Sequence, residues 1–463
     1  MGSARCKVMV FASAFLAALS TVVFASTAGV ARAATITPLP AAYQVIADTA
    51  HGHLFISEGT SPSYEAYPAG STILVTDLSG NPVATLPGPL GVAGMTLSPD
   101  GTTLYVAQDG GVAAFSTATL QQTSFYSIGF PAYSVAVQSD QIWVSYGEGN
   151  SSFTIGSIDP STGSFNATPV PMGWVLFPPL ISADSAGESG TIVTSSEGVN
   201  PPTVASFNVS NPAAVTEVAS SQSIGHCQLP NGLAVVPGGA AFICDGVLYS
   251  TSDLSQQANY GEDNVVGIAA DGTVALAAPQ PFSSPDTYPD LFVIPPGATG
   301  YPGYKAAYTL ETPTAAVAAL AWPTGTAPQT LYAVIENTDT AQDPLSFTVQ
   351  AIDARAATTL TLSGPASGTA NGTVTLTGAL TTLLTGTQAG LPGAKVTITR
   401  TVSGAGEKQT ETLTAITAAD GTFTVTDALP VHGTYTYTAS FAGDSANAPT
   451  APAVVTVAGR PGK

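Results

Sequence analysis

Short apolar runs separated by turn residues recur along almost the whole chain. The clearest case is Val92–Phe115. There an apolar strand meets a Ser98-Pro99-Asp100-Gly101 turn, then an aromatic-bearing strand (Leu104–Ala107), then another short apolar strand ending at Phe115. The runs are rich in Val, Ile and aromatics and are broken by Gly, Pro, Asp and Asn, and beyond the N-terminal leader no long 3.6-residue periodicity interrupts them. The pattern predicts an all-β protein.

The same phrase returns in weaker form. A first copy runs Tyr43–Ala47, His53–Ile56 and Ser71–Asp77; a third runs Tyr133–Val137, Ile142–Val144 and Thr154–Asp159. A fourth has Leu180–Ala183, Thr191–Thr194 and Val204–Val209; a fifth has Leu233–Val236, Ala241–Cys244 and Val247–Ser250. Val265–Ala269, Val274–Ala277 and Leu291–Ile294 make a sixth, and Val317–Trp322, Leu331–Ile335 and Phe347–Asp353 a seventh. Repeats of this kind are the blades of a β-propeller. The count predicts seven blades over 34–355, with uneven spacing that leaves six or eight open. The seventh lacks an outer strand before the pattern changes, so Thr35–Pro40 is expected to return and close the ring, because an open edge invites aggregation.

From about Ala356 the pattern becomes Thr-rich alternation, in Thr358–Leu362, Val374–Thr377, Lys395–Arg400, Glu411–Ala415, Phe423–Thr426 and Thr434–Phe441. Such alternation suits half-buried strands, and about seven of them in roughly 100 residues predict an immunoglobulin-like β-sandwich over 356–463.

The first 33 residues read as a secretory signal: Arg5 and Lys7, an apolar run Val8–Ala25, and an Ala31-Arg32-Ala33 cleavage site. The alternative is an uncleaved membrane anchor, which the Ala, Ser and Thr content disfavours. A secreted, extracellular protein with no membrane span after cleavage is expected. Of three cysteines, Cys227 and Cys244 survive processing, and in an oxidising compartment they are expected to form one disulfide.

Charge narrows the function classes. Region 34–355 holds 25 acids and only two bases, Lys305 and Arg355, whereas 356–463 has five of each sign. Polyphosphates need Lys or Arg to displace their counterions, so nucleic-acid binding is excluded as an expectation and anionic lipid is disfavoured.

Ser98–Ala107 (Ser-Pro-Asp-Gly-Thr-Thr-Leu-Tyr-Val-Ala) resembles the repeat of YVTN-type β-propeller proteins. The resemblance implies the fold and little about function, since such propellers include lactonases, lyases and pure binding modules. Gly433–Asp444, with Asn447 and Pro449 after it, resembles the last strands of bacterial Ig-like repeat domains, as do Leu391–Val396 and Asp420–Phe423 earlier strands. That resemblance implies a spacer or adhesive module at a bacterial surface, with no catalytic residues.

In six copies an acid follows the aromatic-bearing strand: Glu58, Asp109, Glu148, Glu197, Asp245 and Glu336. In a propeller these strand ends share one face around the mouth of the central channel. A ring of carboxylates there could hold Ca²⁺ through oxygen ligands or attract a cationic ligand; the plainer alternative is solvated loop acids. His226, beside Cys227, is a weak candidate general acid or base. His51 and His53 flank Gly52 in a turn. No GxSxG elbow, HExxH pair, P-loop or dinucleotide fingerprint occurs. Two functions are carried forward. One is a secreted binding or scaffold protein recognising an extracellular protein, glycan or cell-wall component, with a neutral or cationic ligand. The other is a lactonase-like hydrolase or lyase acting on a polar small molecule.

Overall fold

The computed structural model describes residues 34–35, 42, 44–58, 72–87, 94–148, 153–167, 170–171, 175, 177–184, 186–187, 189–196, 203–224, 227, 232–261, 265–277, 291–298, 304–308, 315–323, 329–337, 346–384, 387–404 and 409–462. The expected signal segment, Glu197 and His226 lie outside them. Among the described residues there is no helix, and the strands form small sheets that are antiparallel throughout except at one pairing.

Between Gln44 and Asp353 the described strands form seven four-stranded sheets, numbered here in chain order. Their first strands are Gln44–Asp48, Met95–Leu97, Ala132–Gln138, Leu180–Ala183, Leu233–Val235, Val265–Ile268 and Ala315–Ala321. Their second strands are His53–Ser57, Thr103–Gln108, Gln141–Gly147, Thr191–Ser196, Ala241–Cys244, Val274–Ala277 and Thr330–Asn337. In sheets 1 to 6 the third and fourth strands follow in order, so each is a four-strand meander. The seventh takes its fourth strand from the other end of the region. Ala34–Thr35 pairs antiparallel with Ser346–Asp353, in register Ala34 with Val349 and Thr35 with Thr348. The described part of the expected closing strand is Ala34–Thr35, which begins one residue earlier than Thr35–Pro40; residues 36–40 lie outside the described set.

Alternation along the second strands explains how the sheets stack. In sheet 2, Leu104 and Val106 pack with Phe55, Ile73 and Val75 of sheet 1, while Tyr105 and Ala107 pack with Val135, Ile142 and Val144 of sheet 3. A strand buried on both faces needs apolar residues at every position, which is why these runs are continuous. Each neighbouring pair of sheets shares one such apolar layer, including sheets 7 and 1, where Val45, Leu54 and Ile56 meet Ala319, Tyr332 and Val334. The first strands touch their neighbours in chain order, and Ala315–Ala321 closes back on Gln44–Asp48. The arrangement is propeller-like.

First strands are also edge strands, and side chains of the preceding sheet satisfy their free N–H groups. Met95 N–H donates to Gln44 Oε1 at 2.7 Å, Ile181 N–H to Ser134 Oγ at 3.0 Å and Val235 N–H to Ser182 Oγ at 3.1 Å. At Gly94, just before the first strand of sheet 2, a Cβ would sit 3.0 Å from backbone atoms of Tyr133 and Ser134, so any side chain there would have to push that backbone back by a few tenths of an ångström.

On the face carrying the turns between first and second strands, Asp184 is a buried knot. Its carboxylate accepts from Gly187 N–H (2.8 Å), Gly238 N–H (3.2 Å) and Gln138 Nε2 (3.2 Å), joining sheets 3, 4 and 5.

Residues 358–460 form two further sheets around one core that includes Leu376, Val396, Ile398, Tyr435 and Tyr437. Five strands make one sheet, in which Ser367–Thr369 runs parallel to Ala453–Arg460; Thr358–Ser363, Thr373–Leu384, Thr387–Gly390 and Thr422–Ala428 make the other. Tyr435 Oη donates to the carbonyl of Val431 at 2.6 Å and accepts from its N–H at 3.0 Å, fixing the chain at a corner of the sandwich. Buried Arg400 pairs with Asp427 at 2.9 Å and with Glu411, and Tyr437 donates to Asp427 at 2.7 Å; burial and that carboxylate push the Tyr437 phenol well up.

Both bases of the ring region sit where the two parts meet. Arg355 clamps Asp353 through Nε and Nη2 and donates from Nη1 to the carbonyl of Asp444 at 2.9 Å. Ala356 exchanges two backbone hydrogen bonds with Ala446 and Ala448. Ala357 donates to the carbonyl of Lys305 and accepts from Leu383 N–H. The Gly-Asp-x-x-Asn stretch holds this linker: Asp444 accepts from Ala446 and Asn447, and Asn447 in turn accepts from Thr382.

Candidate functional site

Because each sheet starts from the ring axis and its second strand runs antiparallel to its first, the second strands all end, and their connections to the third strands begin, on one face. Glu58, Asp109, Glu148 and Asp245 stand in those connections, and Glu336 near the end of its second strand. Thr72 Oγ1 donates to the Glu58 carboxylate, which is half-buried. Asp109 and Glu148 are exposed. Asp245 and Gly246 both take positive φ (47° and 76°), the two-residue turn that matches strand twist. Burial pushes the Glu336 carboxyl up from its ordinary value.

The five described acids thus fall one each on sheets 1, 2, 3, 5 and 7, at the ends of the second strands. Among the described residues no three His, Cys, Asp or Glu side chains come together as a metal-ligand group. A cavity of about 30 Å³ lies among the first strands of sheets 1 to 5, lined by residues that include Gln44, Gly94, Met95, Ser134, Ile181 and Leu233. That is room for a water or two. On the opposite face His51 Nδ1 lies 2.8 Å from Asp48 Oδ2, with the His51 and His53 rings stacked at 6.5 Å.

Cys227 and Cys244 form the disulfide, with Cα atoms 5.0 Å apart. Both are buried in the apolar layer between sheets 4 and 5, beside Val193, Leu233 and Phe242. The bridge ties the link between these sheets to the second strand of sheet 5.

One rim feature was not legible as a site. The link from sheet 2 to sheet 3 carries Phe130, 43% exposed, whose ring packs 5.7 Å from that of Tyr146. Tyr146 is buried, meets Phe165 edge-on at 5.2 Å and donates its hydroxyl to the carbonyl of Ala167. The link is strapped at both ends: Ile128 and Gly129 donate to the carbonyl of Gly110, and Gly147 N–H donates to that of Pro131. The turns bearing Asp109 and Glu148 therefore flank Phe130. The available signal was a large aromatic set between Gly129 and Pro131, where a turn residue would ordinarily stand.

Fold and rim define a class, an all-β, propeller-like protein with one disulfide. No family model matches the chain, and no curated protein matches it in sequence. Among solved structures it is similar to PorZ, a bacterial surface component of the type-IX secretion system of Porphyromonas gingivalis, at TM-score 0.50 and 13% identity. That likeness covers 91% of this chain and 59% of PorZ. A chain of Kuenenia stuttgartiensis hydrazine synthase aligns at TM-score 0.44 and 12% identity, over 69% of this chain and 97% of that one. At such identities the likeness concerns the fold alone. Among the described residues no helix is long and apolar enough to cross a membrane.

Proposed function

We propose that this chain is an exported bacterial binding or scaffold protein, a seven-bladed propeller of YVTN type over 34–355 carried on an Ig-like sandwich over 356–463, with 1–33 as its signal peptide. Seven sheets, seven apolar layers and the return of Ala34–Thr35 support the blade count. The corner made by Tyr435 and the two-sheet core support the sandwich. A buried disulfide suits an oxidising compartment, and the surface location of PorZ fits the same reading.

The observation that carries the function is the charge of the ring. It has 25 acids and two bases; the Arg355 side chain is engaged at the junction with the second part, and of the rim acids Asp109 and Glu148 are exposed. A surface of that kind favours neutral or cationic guests and repels anions. The test is a panel: purified chain 34–463 against glycans, cell-wall fragments, cationic peptides and lactones. Retention without turnover supports the binder. Turnover of a lactone, lost in His226→Ala, would replace it with the hydrolase reading, and retention of acidic ligands alone would sink the charge argument.

A further inference from the structure

We propose that the rim at sheets 2 and 3 docks an extended basic segment of a partner protein, with a Lys or Arg side chain laid over Phe130 between Asp109 and Glu148. This rests on the acidic rim being a binding surface and names where and what it binds. Three features converge. Phe130 exposes an aromatic face that its backing of Tyr146 and Phe165 holds still, so little freedom is lost when a ligand lands. Two exposed carboxylates flank it, because the strapped link places their turns on either side. A cation over an aromatic face with carboxylates beside it is attracted by both.

The shelf also extends along the rim. Phe125, 43% exposed, reaches the far side of the Asp109 turn, where a Cβ on Gly110 would lie 3.8 Å from its ring. Phe125, Asp109, Phe130 and Glu148 thus offer apolar and acidic positions in succession. That suits a chain segment better than a single small cation. The occupant's charge follows from the ring's own: charge complementarity to a region with 25 acids and two bases favours a basic partner.

The test uses chain 34–463 and a fluorescent octalysine peptide at near-physiological salt, read by anisotropy. Asp109→Asn with Glu148→Gln should weaken binding roughly tenfold, and Phe130→Leu, which keeps apolar area but removes the π face, about fivefold. Asp140→Asn with Glu217→Gln removes the same charge away from the rim and should change affinity by less than about twofold. Melting curves matching the parent establish that each variant is folded. Equal weakening by both charge pairs would overturn the shelf and leave a diffuse acidic rim. Choline binding as tightly as octalysine would replace the segment with a small-cation ligand. Glycan retention with no octalysine binding would overturn the basic partner alone, whereas no ligand from any panel would sink the rim reading too.

Discussion

Asp184 offers the sharpest test of how the ring is held together. Its carboxylate is 3% exposed and takes three donors from three sheets. Truncation to Ala does not strand all three. Gln138 Nε2 keeps Ser189 Oγ at 2.9 Å, and Gly187 N–H keeps the Asp184 backbone carbonyl at 3.1 Å. Gly238 N–H loses its carboxylate partner, and the Gly187 bond weakens. Gly238 is exposed and its N–H can turn to water, so the loss is chiefly that of charge-assisted hydrogen bonds at about 1.5–3 kcal/mol, and Asp184→Ala should cost roughly 2–3 kcal/mol. All three tryptophans, Trp143, Trp174 and Trp322, lie in the ring region, so fluorescence follows it without contribution from 356–463. For an m-value near 3 kcal/mol/M, the urea midpoint should fall by roughly 1 M, and Asp184→Asn, which keeps one acceptor oxygen, should fall by less. A drop below about 0.3 M for the Ala variant would mean that sheets 3, 4 and 5 are held by apolar layers alone.

Replacing Cys227 and Cys244 by Ser together should cost roughly 3 kcal/mol for the 17-residue separation, seen as a lower ring midpoint; two reactive thiols in the unreduced parent protein would contradict the bridge. Tyr435→Phe removes both corner hydrogen bonds and should destabilise the sandwich by about 1–3 kcal/mol, leaving the tryptophan transition where it was. Burial raises the Glu336 carboxyl, so ionising it costs stability, absent below the unfolded-state pKa and present once pH exceeds the raised folded value. Glu336→Gln should therefore melt higher than the parent at pH 7.5 and converge with it near pH 4; a constant gap across that range would refute the assignment.

Strands buried on both faces announced themselves in the sequence. His53–Ile56, Leu104–Ala107, Ile142–Val144 and Leu331–Ile335 are continuous apolar runs, and all fall in second strands. The outermost strands did not. Gln122–Ser127, Thr216–Ser221 and Gln256–Asn259 are largely exposed, so no packing forces a pattern on them. Ala453–Arg460 was missed for a related reason: its buried positions, Val457 and Gly459, include a glycine that carries no hydrophobic signal. That Glu58, Asp109, Glu148 and Asp245 follow second strands was legible by position, since strand-to-loop order follows from the meander. Phe130 was not, because its setting depends on hydrogen bonds to the Gly110 carbonyl and from Gly147 N–H that no local spacing encodes. The Gly-Asp-x-x-Asn stretch was legible as a resemblance, while its work as a clasp on Ala356 required the geometry.

The pairing of Ala34–Thr35 with Val349 and Thr348 sets an order of events. A chain emerging N-terminus first must keep that leading segment unpaired until the last sheet has been delivered, because its partner is made last. Every other sheet can assemble from neighbours already present. Completion of the circle is thus a late step that waits for nearly the whole ring to arrive, and a chain cut short within Ser346–Asp353 would be left with two loose ends instead of one.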